Sequence, residues 1–223
     1  MADSKEFFDA VRNGDVAKVE ALVSEDRALL TAKTERGFTA VTVAAYMGQP
    51  KVLEAILAHA PPMTVHEAAL AGDLRRVREL VEGDPELAND ASSPDGFPPL
   101  GLAAYLGRPE IVKYLLSKGA DLNFAAPGVG FTALTGAVDN NHPEVVRILL
   151  KAGADPSYVY EDGQASVMTT AAAHGNPEVV KMLLDAGADV NVRTKDGKTP
   201  LAWAIEKGHH EVADLLRRHG AEE

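Results

Sequence analysis

Residues 109–121 read PEIVKYLLSKGAD, and the chain contains two close copies, PEVVRILLKAGAD at 143–155 and PEVVKMLLDAGAD at 177–189. A fourth version, HEVADLLRRHGA, occupies 210–221. Proline suits the first turn of a helix, and glycine suits the left-handed residue just beyond a helix end. Between them, apolar residues recur at helical spacing. The closing glycines lie 34, 34 and 33 residues apart, so the sequence predicts one helix repeated at a fixed period.

A second helix precedes each of these segments. It is rich in alanine, as in residues 100–106, and it ends at a marker that is usually glycine. The markers are Gly14, Gly48, Gly72, Gly107, Asn141, Gly175 and Gly208. Their spacings of 34, 24, 35, 34, 34 and 33 residues fit about seven helix-pair units, of which one is short. Polar stretches with glycine between units predict hairpin-like turns. In the short unit, residues 59–66 are predicted to enter the helix without a hairpin.

A helix pair of this kind cannot bury its apolar face alone, so neighbouring units are expected to stack and to share a core. We therefore predict a single domain over residues 1–223. Its N-terminal capping unit is 1–36, in which Phe7, Phe8 and Val11 face inward, and its C-terminal capping unit is 197–223; both ends look finished. The internal units are assigned to residues 37–62, 63–95 (the short-hairpin region), 96–129, 130–163 and 164–196.

Residues 196–209, DGKTPLAWAIEKGH, and 187–191, GADVN, resemble the turn, first helix and closing motif of the ankyrin repeat family. The paired stretches at 25–31 and 83–89 look like the longer outer loops of bacterial members. The resemblance implies an all-α solenoid of stacked helix-turn-helix units with short β-hairpin-like turns. It implies no particular chemistry. The family's Thr-Pro-Leu-His motif is nowhere complete, and its His slot holds Thr42, His66, Gly101, Thr135, Thr169 and Ala202.

Composition excludes several classes of function. The 223 residues include no cysteine, which rules out disulfide scaffolds, cysteine-ligated metals and a cysteine nucleophile. With 22 basic and 33 acidic side chains the net charge is −11, which disfavours binding to nucleic acid or to anionic membranes and favours a basic protein partner. We find neither a secretory signal nor an apolar run long enough to span a bilayer, so we expect a cytoplasmic protein.

The search for catalytic residues yields little. Seven histidines are scattered, without the spacing of a zinc helix, and no nucleophile lies on a recognisable strained turn. By resemblance, His142 and His209 cap outer helices and His66 ties a loop to a helix. His174 is the least explained. We predict no enzyme activity, no cofactor and no metal site.

Aromatic residues give the stronger signal. When the units are aligned, Phe38, Phe97 and Phe131 share one position, and Tyr46 and Tyr105 share another. By analogy with the family, these positions form a stripe on the concave face, and such apolar stripes are typical of interfaces. Alternatively, the side chains fill gaps between units. The predicted partner-binding residues are Phe38, Tyr46, Met47, Phe97, Tyr105, Leu106 and Phe131, with Tyr158 and Tyr160 as extensions that could equally be packed turn residues.

The resulting hypothesis is a monomeric, non-enzymatic module that binds another protein along its concave face. One alternative is a small-ligand or enzymatic protein with a pocket near His66, Thr135 or His174. Another is an engineered scaffold without a native partner. An acidic group formed by Glu82, Asp84, Glu86, Asp90 and Asp95 is either solvated surface or an edge that steers a basic partner.

Overall fold

The computed structural model describes residues 4–128, 130–160 and 163–222. Over these residues the chain is all-helical, with no strand and one isolated antiparallel bridge between Val159 and Ser166. The helices are α1 (Ser4–Asn13), α2 (Val16–Glu25), α3 (Ala40–Tyr46), α4 (Pro50–Ala58), α5 (Val65–Ala71), α6 (Leu74–Gly83), α7 (Pro99–Tyr105), α8 (Pro109–Ser117), α9 (Ala133–Asp139), α10 (Pro143–Lys151), α11 (Val167–His174), α12 (Pro177–Asp185), α13 (Pro200–Glu206) and α14 (His210–Arg218).

The helices pack in two rows. Odd-numbered helices contact one another in chain order from α1 to α13, and each contacts the even-numbered helix that follows it. The even-numbered helices form the second row, with contacts such as α8 to α10 and α10 to α12. We call the odd-numbered helices inner and the even-numbered helices outer. This arrangement is the predicted all-α solenoid of stacked helix pairs.

The outer helices begin and end where the sequence predicts. Proline occupies the first position of α4, α8, α10 and α12, where its missing N–H costs no hydrogen bond. The predicted closing glycines all adopt left-handed backbone, with φ between 81° and 96°. They are Gly119, Gly153, Gly187 and Gly220. The long connections after α2 and α6 hold similar 3₁₀ helices, Arg27–Thr31 and Pro85–Asn89.

The short unit lacks a hairpin, as predicted. Only residues 59–64 separate α4 from α5, whereas residues 118–132 separate α8 from α9. Thr64 begins α5 with a capping box in which its side chain and that of Glu67 bond each other's backbone N–H groups. The Glu67 carboxylate also accepts a hydrogen bond from Thr39 at 2.5 Å, although its residue is only 7% exposed. This buried contact links α5 to the start of α3.

A recurrent contact joins four of the units to a preceding unit, and we call it the clasp. The residue before an outer helix donates from its side chain to a backbone carbonyl two positions before the preceding unit's left-handed glycine. His142 Nε2 bonds the Tyr105 carbonyl at 3.0 Å and covers Gly107. The other clasps are Gln49 to Arg12, Arg108 to Leu70, and His209 to Ala173. The predicted capping histidines are therefore two members of a wider set.

The core lies between the two rows of helices. Alanines on the inner helices, such as Ala103 and Ala104, are fully buried and let neighbouring helices approach closely. Branched residues of the outer helices, such as Val112 and Leu115, fill the space behind them. At the N-terminal end Phe7, Phe8 and Val11 are buried, as the sequence predicts.

Candidate aromatic pocket

Two tyrosines from non-adjacent units meet beside the short unit. Tyr46 ends α3 and Tyr105 ends α7, and α5 lies between these helices. Leu70 holds the equivalent position on α5, two residues before its marker glycine, and it is buried in the core. The rings of Tyr46 and Tyr105 consequently meet edge to face, with centroids 5.9 Å apart. This distance and angle are typical of favourable aromatic pairs.

Further aromatic contacts form two groups, one that includes this pair and one that does not. Phe38 lies edge to face with Tyr46 at 6.0 Å. On the other side of the tyrosines, Phe97 stacks on Phe131 at 6.5 Å, and Phe131 meets Tyr160 at 5.3 Å. The rings thus come from turns and inner helices of several units.

All of these rings except that of Tyr160 line a pocket of about 300 Å³, which we call the aromatic pocket. Its volume is at the lower end of the range for sites that bind small groups. It is possible because two lining residues, Gly101 and Gly136, have no side chain. A Cβ at Gly101 would lie 3.4 Å from the Phe97 ring, and a longer side chain there would occupy the space. The pocket is lined by Arg36, Phe38, Tyr46, Asp95, Phe97, Gly101, Leu102, Tyr105, Phe131, Thr132, Gly136 and Asp139.

Two carboxylates line this aromatic pocket, and each accepts a hydrogen bond from a tyrosine. Tyr46 donates its hydroxyl to Asp95, and Tyr160 donates to Asp139 at 2.9 Å. Burial raises the pKa of both tyrosines above their ordinary value, and the neighbouring carboxylates raise it further. Both tyrosines therefore remain neutral donors. Burial also raises the pKa of Asp139, an effect that the hydrogen bond from Tyr160 and the nearby His174 partly offset.

With this geometry established, comparison with known proteins identifies the architecture. A family model described as "Ankyrin repeats (3 copies)" matches residues 65–160 and 158–223, well over half of the chain. The chain belongs to the ankyrin repeat family. Ankyrin repeats are in general protein–protein interaction modules and are typically not enzymes. No curated protein matches this sequence. Within the described ranges, none of the helices is both long and apolar enough to cross a bilayer.

The predicted partner-binding residues differ in exposure in this ankyrin structure. Met47 and Tyr105 are the most accessible, at 54% and 39% exposed. Five others are half-buried and pack partly against the core or against each other: Phe38, Tyr46, Phe97, Leu106 and Phe131. The rings that line the aromatic pocket thus pack at one edge and face the pocket at the other, and their role in binding a partner stays a prediction.

The two tyrosines of the next turn, Tyr158 and Tyr160, pack beside the aromatic pocket. Tyr158 is half-buried and donates to the Gly130 carbonyl at 2.6 Å. Tyr160 is only 9% exposed, with its hydroxyl held by Asp139. Both side chains are packed within the turn, and a contribution of either residue to partner binding stays a prediction. Tyr160 in addition fixes the position of a pocket carboxylate.

Two histidines named for the alternative ligand pocket, His66 and His174, have structural partners. His66 bonds the Asp90 carbonyl at 2.7 Å and so ties a loop to α5, as the family resemblance implies. His174 lies 3.3 Å from the Val138 carbonyl, and Thr135 is buried within the capping box of α9. In the ranges that the structure describes, no group of three or more His, Asp or Glu residues is arranged to hold a metal ion.

Three members of the predicted acidic group accept hydrogen bonds from groups of the protein itself. Asp84 caps the 3₁₀ helix Pro85–Asn89, Asp90 accepts from the backbone N–H of Ser92, and Asp95 accepts from Tyr46. Sequence reasoning placed Asp95 in this group but not in the aromatic pocket, and it missed Gly101 as a pocket residue. It also missed Asp139, although the alignment puts Asp139 at the position of Tyr105. The available signal was the carboxylate that replaces a tyrosine at this position, as Glu206 also does in the last repeat.

Proposed function

We propose that this ankyrin domain is a non-enzymatic module that binds a partner protein on the face formed by its inner helices and turns, the predicted concave face. The observation that carries the proposal is the aromatic pocket together with the exposed Met47 and Tyr105 beside it. Aromatic residues and methionine are enriched in interface cores, and pockets that they line are where binding energy concentrates. The anchors are Phe38, Tyr46, Met47, Phe97, Tyr105, Leu106 and Phe131.

The packing explains how such a surface would bind with little loss of conformational entropy. Edge-to-face and stacked contacts hold each ring against its neighbour, and Tyr46 is further fixed by Asp95. A side chain that is already ordered loses little conformational entropy on binding. The net charge of −11 favours a basic partner by accelerating encounter. A monomer, a cytoplasmic location and the division into seven units belong to the same proposal.

The test replaces Phe97 by Ser and Tyr105 by Ala in one variant. Ile205→Ala is the matched control, since Ile205 is 46% exposed on inner helix α13 and lies outside the aromatic pocket. Each protein is immobilised, and proteins captured from the source cell are identified by mass spectrometry. We expect a partner retained by the wild type and by the control but lost from the double variant. If the double variant folds, as judged by circular dichroism, and captures the same proteins, the anchors are wrong.

The size of the aromatic pocket also gives the small-ligand alternative a specific basis. A pocket of about 300 Å³ can hold a small metabolite. A thermal-shift screen of metabolites tests this alternative, because a ligand at 100 times its Kd stabilises the folded state by about 2.7 kcal/mol. A metabolite that stabilises the wild type but not a variant with the pocket filled at Gly101 would favour the alternative over protein binding.

A further inference from the structure

The aromatic pocket combines two features that occur together at sites for organic cations. Its walls are ring faces and edges, and its only acidic groups among the lining residues, Asp95 and Asp139, come from different parts of the fold. Asp95 lies in the turn before α7, whereas Asp139 ends α9. The face of an aromatic ring attracts a cation, and the attraction grows when water is excluded. A carboxylate close to such rings adds direct charge attraction.

The burial and the hydrogen-bond partners of the two carboxylates favour a positively charged occupant. Asp139 is partly buried, with Tyr160 as its hydrogen-bond donor, and no basic side chain forms an ion pair with it among the described residues. Burial raises the pKa of Asp139, and the hydrogen bond from Tyr160 and the nearby His174 offset this only in part, so a positive group beside Asp139 would stabilise its charged form. Asp95 accepts from Tyr46 and, at 2.8 Å, from Ser93. Neutral hydroxyls thus position both groups, and among the described residues no basic side chain forms an ion pair with either carboxylate.

One cation of the protein itself already uses this surface. The Arg36 guanidinium lies 5.2 Å from the centroid of the Phe38 ring, and Arg36 is exposed at the edge of the aromatic pocket. The outermost ring of the pocket therefore accepts a positive group in the unbound protein. Arg36 would also repel a second cation, so its removal should strengthen binding of a positively charged guest.

We propose that the aromatic pocket binds a lysine side chain presented by the partner protein, an inference that rests on the proposed function and specifies its chemistry. The aliphatic stem of lysine would lie against the rings and over Gly101, and its ammonium would lie between Asp95 and Asp139. A compact ammonium directs three donors to different sides and suits carboxylates held on separate elements. The planar guanidinium of arginine instead pairs best with one carboxylate in a fork.

The test uses defined probes instead of the unidentified partner. Nα-acetyl-lysine N-methylamide and its uncharged analogue, Nα-acetyl-norleucine N-methylamide, are titrated into the protein while NMR follows the aromatic resonances. We expect the lysine probe to bind at least about tenfold more tightly than norleucine, and to shift the Tyr46, Phe97 and Tyr105 signals. Equal binding of the two probes would overturn the assignment of charge. The absence of any shift at a probe concentration of about 20 mM would also overturn it. This concentration is 20-fold above about 1 mM, a typical upper Kd for a specific contact.

Variants then locate the binding. Asp139→Asn keeps an acceptor for Tyr160 but removes the charge, and should weaken the lysine probe by about fivefold or more while leaving norleucine unchanged. Gly101→Leu fills the pocket and should abolish binding. Ala202→Leu is its matched control, since Ala202 holds the same repeat position on α13 and does not line the pocket. Arg36→Gln should tighten the lysine probe. Unchanged binding in both Asp139→Asn and Gly101→Leu would refute the site.

The outcome is separable from that of the proposed function. If the Phe97 and Tyr105 double variant loses the partner but norleucine binds as well as lysine, the surface is an interface and its guest is apolar. If lysine binds selectively but the double variant keeps its partner, the pocket binds cations and the partner binds elsewhere, which overturns this inference as a statement about the partner.

Discussion

Gly107→Ala tests the clasp that joins the unit of α7 to that of α9 and α10. Gly107 has φ of 64°, and a Cβ there would lie 2.5 Å from Nδ1 of His142, closer than any real contact. Gly208 has a similar φ of 76°, but its Cβ would meet nothing within 4 Å. The two substitutions therefore share the cost of left-handed backbone and differ in whether they displace a clasp.

The expected magnitudes follow from this difference. Left-handed backbone costs about 1–2 kcal/mol for alanine, and this cost applies to both variants. In Gly107→Ala the His142 ring must also move, which breaks its 3.0 Å bond to the Tyr105 carbonyl. Overpacking of this kind adds about 1–3 kcal/mol, a range that includes the lost hydrogen bond. We therefore expect Gly107→Ala to destabilise the protein by about 1–3 kcal/mol more than Gly208→Ala.

Urea unfolding followed by circular dichroism measures these changes in the free energy of unfolding. The decisive comparison repeats Gly107→Ala in a His142→Ala background, where no ring remains to be displaced. The loss there should shrink to about 1–2 kcal/mol, the backbone cost alone. Equal losses in both backgrounds, or equal losses for Gly107→Ala and Gly208→Ala, would show that the clasp does not constrain this junction.

Two further predictions concern buried carboxylates. Burial raises the pKa of Asp139 in the folded state, so this group's contribution to stability is greatest below its unfolded pKa of about 3.9 and is lost as pH rises through the folded pKa. As the pH rises from 4 to 7, the free energy of unfolding of Asp139→Asn should therefore increase relative to that of the wild type in urea titrations. A difference in unfolding free energy that stays constant across that range would contradict the burial of the charge. Glu67→Ala leaves the donors of Thr39 and Thr64 unpaired and should cost about 1–3 kcal/mol, whereas Glu54→Ala, at an exposed position of α4, should change stability by less than about 0.5 kcal/mol in the same assay.

The helices could be predicted from sequence because their signals are local. A proline at the first position and a left-handed glycine after the last turn define an outer helix within about ten residues, and neither depends on distant contacts. The short unit was predictable for the same reason, since the spacing from Gly48 to Gly72 directly gives the missing residues. Two of the four clasps were not predictable. Gln49 and Arg108 have the role of His142, but their side chains differ chemically, and only the structure shows that they reach the same kind of carbonyl.

The candidate site also has features that the sequence predicts and features that only the packing shows. Alignment of the repeats predicts which aromatic residues share a position, because register within a unit is local information. It does not predict which rings meet, because that depends on how units stack. Tyr46 contacts Tyr105, two units away, and its hydroxyl reaches Asp95. Tyr160 turns inward to hold Asp139, although its sequence neighbour Val159 is exposed. The two carboxylates could therefore be assigned to the site only from the packing of the units.

The aromatic pocket lies where the repeat departs from its own pattern. A regular unit between α3 and α7 would carry a hairpin, which would separate residues 34–38 from residues 93–97. Without it, Gly37 lies close enough to Pro94 that an added Cβ would be 3.5 Å from the proline ring. The two aromatic turns then flank one space, and glycine at position 101, where the family has histidine, leaves that space open. Stability in a solenoid comes from each unit and from its contacts with its neighbours. Specific recognition at this surface would come from the one unit that is shorter than its neighbours.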